Sequence, residues 1–135
     1  MRVLAVDYGE RRTGVAVSDE LGITAQGLET IEVEDETEIP DLIARVATEK
    51  RAETIVVGLP LNMDSSESEK SIKVRKFGAL LAEITSLPVV FLDERMTTKQ
   101  AHRIMHDLKK KTRGNKPMVD RISATLILQD YLKTI

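Results

Sequence analysis

Apolar and polar positions alternate along this chain in two distinct rhythms. Val3 to Val6 is a continuous apolar run closed by Asp7, which predicts a buried strand over Arg2–Asp7. Gly14 to Ser18 and the stretch Thr24 to Val33 read as two further strands of an antiparallel meander, with turns at Gly9 and Gly22. The period then changes. Pro40 suits a first helical turn, and Ile39, Leu42, Ile43, Val46 and Ala47 recur with helical spacing, predicting an amphipathic helix that ends near Lys50. Thr54 to Val57 is a β-branched run, read as a buried strand closed by a sharp Gly58-Leu59-Pro60 turn. Ser66 with Glu69 forms a capping-box pattern ahead of a stripe of Val74, Phe77, Leu81 and Ile84. Val89 to Leu92 is the next strand. A second capping box, Thr97 with Gln100, opens a helix carrying Ala101, Ile104, Met105 and Leu108, and Pro117 introduces a last apolar helix from Val119 to Leu132. An antiparallel meander followed by alternating strands and helices predicts an α/β fold: a mixed five-stranded sheet, its later strands parallel, flanked by helices in one domain over 1–135. Ligands of such sheets gather at the carboxyl ends of the parallel strands.

Composition narrows the function classes. The 135 residues are 41% apolar and include no cysteine. A chain of this length buries roughly two-thirds of its unfolded surface, which supports one core and excludes a two-domain enzyme of the kinase or dehydrogenase type. Without cysteine there is no disulfide framework, thiolate nucleophile or Cys-ligated metal. No apolar run approaches ~18 residues and the first residues lack a signal-peptide pattern, so the expectation is a cytoplasmic protein with no membrane contact. The net charge of −2 hides a polarity: residues 1–68 carry 6 basic and 15 acidic side chains, residues 69–135 carry 14 and 7. Seven of the acids fall between Glu29 and Asp41 with no base among them, and read as a solvated connection. The basic half suggests a polyanionic partner.

The unusual residues fall at strand ends. Asp7 terminates an apolar strand beside Gly9, where backbone can approach a ligand closely and an idle charge would be costly. Asp93 and Glu94 end another buried strand, with Arg95 alongside, and Asp120 lies near the start of the last helix. Carboxylates converging on one sheet edge repel one another unless a hard cation joins them, and Mg or Mn prefer such oxygen ligands. Two cations a few Å apart would activate a water and stabilise the leaving oxygen of a phosphodiester. Arg11, Arg12 and Arg95 lie near the same edge, while Lys70, Lys73, Lys76, Lys109, Lys110 and Arg113 could track a nucleic-acid backbone. With only two Phe and two Tyr, base stacking is at most a minor contribution, which favours a duplex or structured shape. His102 and His106 have metal-binding spacing but no evident third ligand, and read as part of a solvated face.

Four segments in order resemble the YqgF/RuvX family along the whole chain: Asp7-Tyr8-Gly9 through Ala16, Val57-Gly58-Leu59-Pro60-Leu61-Asn62, Asp93-Glu94-Arg95-Met96-Thr97-Thr98, and Asp120-Arg121-Ile122-Ser123-Ala124 with Ile127 to Leu132. The resemblance implies an RNase H-like fold and a metal-dependent nuclease, with members described as nucleases that process the 5' end of pre-16S rRNA and as Holliday junction resolvases. It implies Asp7, Glu94 and Asp120 as catalytic, metal-binding carboxylates, with Asp93 as a helper. Related resolvases place an acidic residue at the end of the fourth strand, where this chain offers Gly58, Leu59 and Pro60, so the second carboxylate must come from the neighbouring strand, from Asp93 or Glu94. The family often has Gly where this chain has Ser65. The implied partner is structured RNA or branched DNA, and the chain is expected to be a monomer or a homodimer. Two other readings are a non-catalytic nucleic-acid or ribosome-binding module and an actin-like or sugar-kinase ATPase. The latter needs a second domain that this length cannot hold.

Overall fold

The computed structural model describes residues 1–96, 99–112 and 114–135, apart from the side chains of Met96, Ala101 and His102. In chain order it contains β1 (Val3–Asp7), β2 (Arg12–Ser18), β3 (Ala25–Gly27), β4 (Ile31–Glu32), α1 (Ile39–Glu49), β5 (Thr54–Leu59), α2 (Glu69–Thr85), β6 (Val89–Asp93), α3 (Lys99–Lys111) and α4 (Lys116–Leu132). The sheet runs β3-β2-β1-β5-β6, antiparallel on the β2 side of β1 and parallel from β1 through β5 to β6.

Strand alternation divides the core in two. Leu4, Val6, Val15, Val17, Ile55 and Val57 face α1 and α2, where Ile39, Ile43, Val74, Phe77 and Leu81 complete one cluster. Val3, Ala5, Ala16 and Val56 face α4, which supplies Ala124, Ile127 and Leu128. These positions on β1, β2 and β5 are buried on both faces, which is why their sequences are nearly continuous apolar runs. The helix on the second face lies very close. A Cβ on Gly14 would stand 2.0 Å from the Asp120 carbonyl oxygen, so glycine there sets the distance between β2 and α4. Among the described residues no helix is long and apolar enough to cross a membrane.

Several boundaries differ from the sequence expectation. The single third strand is two, β3 and β4, both paired with β2. Between the pairs Ala16↔Gly27 and Thr13↔Ile31, β2 advances by three residues and its partner by four, so one extra residue bulges out and interrupts the ladder. The sheet therefore has six strands on a five-strand path. β5 continues through Gly58 and Leu59 because both still pair with β6, at Leu92 and Asp93, so the turn begins only at Pro60. The first capping box is built two residues later than expected. Ser68 accepts from the Ser71 amide at 2.9 Å and Ser71 Oγ accepts from the Ser68 amide at 2.7 Å, so a serine does the work expected of Glu69. Ser68 Oγ also donates to the Pro60 carbonyl, tying the start of α2 to the end of β5. α4 begins at Lys116, capped by Asn115, with Pro117 in its first turn. Thr97 of the second expected capping box lies outside the described residues. The seven acids from Glu29 to Asp41 are exposed, as expected.

Candidate active site

Alternation along the strands decides which acids meet. On β1, Asp7 continues the face of Val3 and Ala5, towards α4. On β6, Phe91 packs towards α1 and α2 whereas Leu92 packs towards α4, so Glu94 continues the α4 face and Asp93 the other. Between the two strands lies β5, and there the residue on the α4 face is Gly58. A Cβ on Gly58 would meet Glu94 Oε1 at 2.6 Å and Ile127 Cδ1 at 2.7 Å. The Glu94 carboxylate thus occupies the space a side chain at position 58 would need, and from there it acts electrostatically on Asp7.

The two carboxyls line a cleft of about 290 Å³. Leu92, Met105, Leu126 and Ile127 give it an apolar floor, and Lys70 from α2 and Lys109 from α3 bring positive charge to its rim. Burial pushes the Asp7 carboxyl up to about 7, and the charges of Glu94 and Asp120 add to the rise, while Lys70 and Lys109 oppose it. Glu94 is raised by the same desolvation, again opposed by Lys70. Asp120 is the third acid whose field reaches Asp7, but its Oδ2 accepts from Arg12 Nε at 2.9 Å. Among the described residues no three Asp, Glu or His side chains stand close enough to hold a cation together. Asp7 and Glu94 offer two hard oxygen donors on a cleft with room for solvent, a set that fits a cation which keeps several of its waters.

Asp93 is engaged elsewhere. It accepts from Arg95 Nε at 3.0 Å and from a terminal guanidinium nitrogen at 2.6 Å, and this arginine holds its carboxyl below the ordinary range. Arg95 in turn donates to the Met63 carbonyl and to Ser65 Oγ, so the Asp93–Arg95 pair fixes the loop after β5. Ser65 there has φ of +74°, a left-handed conformation that favours glycine.

The expected nucleic-acid-binding residues divide in the same way. Arg12 and Arg95 are committed to carboxylates, and Lys73 pairs with Glu10. Arg11, Lys76, Lys109 and Lys110 are exposed, and Lys109 borders the cleft itself. Arg113 and the His102 side chain lie outside the described residues, and His106 is exposed. Sequence reasoning missed Asp130 and Ser123, which both line the cleft. Their signal was present: Ser123, Ile127 and Asp130 fall on one face of α4 at helical spacing.

A profile of the RuvX family, described as Holliday junction resolvase, matches residues 1–134. This chain belongs to the RuvX family. It is 46% identical over 136 residues to a curated Phocaeicola vulgatus protein named "Putative pre-16S rRNA nuclease", covering 98% of this chain and 96% of that one. A Clostridium novyi relative of the same name is 42% identical over the whole of both chains. The fold of this RuvX member is that of RuvC-like, RNase H-fold resolvases. Thermus thermophilus RuvC, solved with a Holliday junction, superposes with a TM-score of 0.62 at 17% identity, over 99% of this chain and 96% of the other. Fowlpox virus resolvase, solved with Holliday junction DNA, gives 0.60 at 14% identity, over 99% and 98%.

Proposed function

We propose that this chain, as one domain, is a divalent-cation-dependent nuclease that cuts precursor ribosomal RNA near the 5' end of 16S. The observation that carries the reading is the meeting of Asp7 and Glu94 over Gly58, two half-buried carboxyls held together at the carboxyl edge of a parallel sheet. Both are destabilised there as charges, which is the arrangement a hard cation relieves. Asp7 and Glu94 would hold Mg or Mn, with Asp120 completing the set. The cation supplies Lewis-acid activation of water and neutralises charge at phosphorus. Lys70 and Lys109 would add positive charge beside the oxygens of the pentacoordinate phosphorus transition state, which carry the negative charge. The apolar floor lowers the local dielectric and strengthens these interactions. Arg12 positions Asp120, and Asp93 positions Arg95 and the loop after β5. The names of the relatives favour the RNA substrate, and the family's description supplies the second reading, resolution of branched DNA.

The test is cleavage of an RNA spanning the 16S 5' end and of a four-way DNA junction, in Mg or Mn, by wild type and Asp7→Asn. RNA cleavage that falls by about 10²-fold or more in the variant is expected. Symmetric junction cuts with intact RNA would move the activity to recombination. Cation-dependent cleavage retained by Asp7→Asn would remove Asp7 from the chemistry.

A further inference from the structure

A second hollow, of about 430 Å³, adjoins the cleft, and Lys70 lines both. Arg11 and Lys73 bring two more cations to it, and Gly9 contributes bare backbone. Its walls are fixed. Tyr8 stacks on Phe77 with ring centroids 4.3 Å apart, and Thr13 Oγ1 donates to the Gly9 carbonyl at 3.0 Å, holding the turn after β1. A Cβ on Gly9 would lie 2.2 Å from the Arg12 carbonyl oxygen, so this turn admits no side chain at that position. Two carboxylates share the hollow with these cations: Glu69, and Glu10, which is paired with Lys73. Both side chains of the pair are more than half exposed, Lys73 at 59% and Glu10 at 51%. An ion pair in that much water contributes little, so another anion can replace its carboxylate at little cost.

We propose that this hollow is a second phosphate subsite, taking the phosphate next to the one at the Asp7–Glu94 cleft, and that Glu10 is a built-in competitor holding Lys73 until a substrate phosphate displaces it. The proposal rests on the nuclease reading. It follows from the placement of the walls: a polyanion whose phosphate lies at the cleft continues past Lys70 into the hollow, where the only negative charge facing Lys73 at bonding distance among the described residues belongs to Glu10. Phosphate is the better partner, because it offers several charged oxygens to Arg11, Lys70 and Lys73 together.

The experiment is a double-mutant cycle on binding. A fluorescein-labelled RNA spanning the 16S 5' end is titrated by fluorescence anisotropy with Asp7→Asn protein, which prevents turnover, carrying E10Q, K73A, both or neither. E10Q is expected to tighten binding about three- to fivefold and K73A to weaken it by a similar factor. In the K73A background E10Q is expected to have no effect, since the competitor has lost what it competes for. A merely long-range gain from deleting a negative charge would persist in that background and would overturn the proposal, as would unchanged or weaker binding by E10Q. Wild-type cleavage of the same RNA is measured alongside. Cleavage with an additive cycle defeats the subsite and leaves the nuclease reading standing, whereas an RNA neither cut nor bound defeats both.

Discussion

The Asp7 carboxyl is desolvated with Glu94 facing it, and its charge is therefore a cost to the fold whenever no cation is present. It titrates near 7 in the folded protein against an ordinary 3.8, so the native state binds the extra proton between those values. The stability this contributes is fully present below about pH 4 and is lost as pH rises through 7. Asp7→Asn is accordingly expected to be more stable than wild type at pH 8 without divalent cations, by on the order of 1–2 kcal/mol after discounting for partial solvent access, with the gap closing towards pH 4. Urea denaturation at the two pH values measures it, and equal stability at pH 8 would contradict it. Cation affinity is expected to weaken as pH falls below 7, because the proton and the cation compete for the same oxygen. Ser65 shows a balance of a different kind. Its left-handed backbone is strained for a side chain, but its hydroxyl accepts a 2.9 Å bond from Arg95, so Ser65→Gly relieves strain and loses a bond together. A stability change within about 0.5 kcal/mol is expected for it.

Elements bring the acids together, and two glycines show how closely. At Gly14 a Cβ would collide with backbone of α4, which can move only as a whole helix, whereas at Gly58 it would meet the far ends of the Glu94 and Ile127 side chains. Gly14→Ala is therefore expected to cost about 3 kcal/mol in thermal or urea unfolding. Gly58→Ala is expected to cost less than half as much stability while displacing the Glu94 carboxylate and lowering cleavage at least tenfold. The reverse ranking would mean that Gly58 serves packing alone. These same elements show what could be read from the chain. The strands, the helices and their order follow from apolar period, because β1 and β5 are buried on both faces and α1 on one. The choice between Asp93 and Glu94 was legible in principle, since Leu92 and Glu94 share one parity and Phe91 and Asp93 the other, but it required knowing which face α4 covers. The bulge between β3 and β4 was not legible, because it arises from pairing with β2 rather than from any local turn signal. The displaced capping box had an equally plausible competitor two residues earlier, and the contact from Ser68 to Pro60 that selects it is tertiary.

At the scale of the whole molecule the charge polarity of the sequence becomes a surface with a function only where the fold concentrates it. Arg12, Arg95 and Arg75 are consumed by carboxylates, and Lys73 is shared with Glu10, so the count of basic residues overstates what a nucleic acid meets. If Arg11, Lys70, Lys73 and Lys109 are the phosphate contacts, the logarithm of RNA affinity is expected to fall with the logarithm of salt with a slope of about −3. A slope near zero would place binding elsewhere. Narrower than this field is the division proposed for the Asp93-Glu94 pair, in which Glu94 would hold the cation and Asp93 would not. The direct measurement is the cleavage rate of the 16S 5'-end RNA in Mg by Glu94→Gln and Asp93→Asn side by side. A loss of about 10²-fold or more is expected for Glu94→Gln and of less than about tenfold for Asp93→Asn. Full activity in Glu94→Gln, or a greater loss in Asp93→Asn, would contradict it.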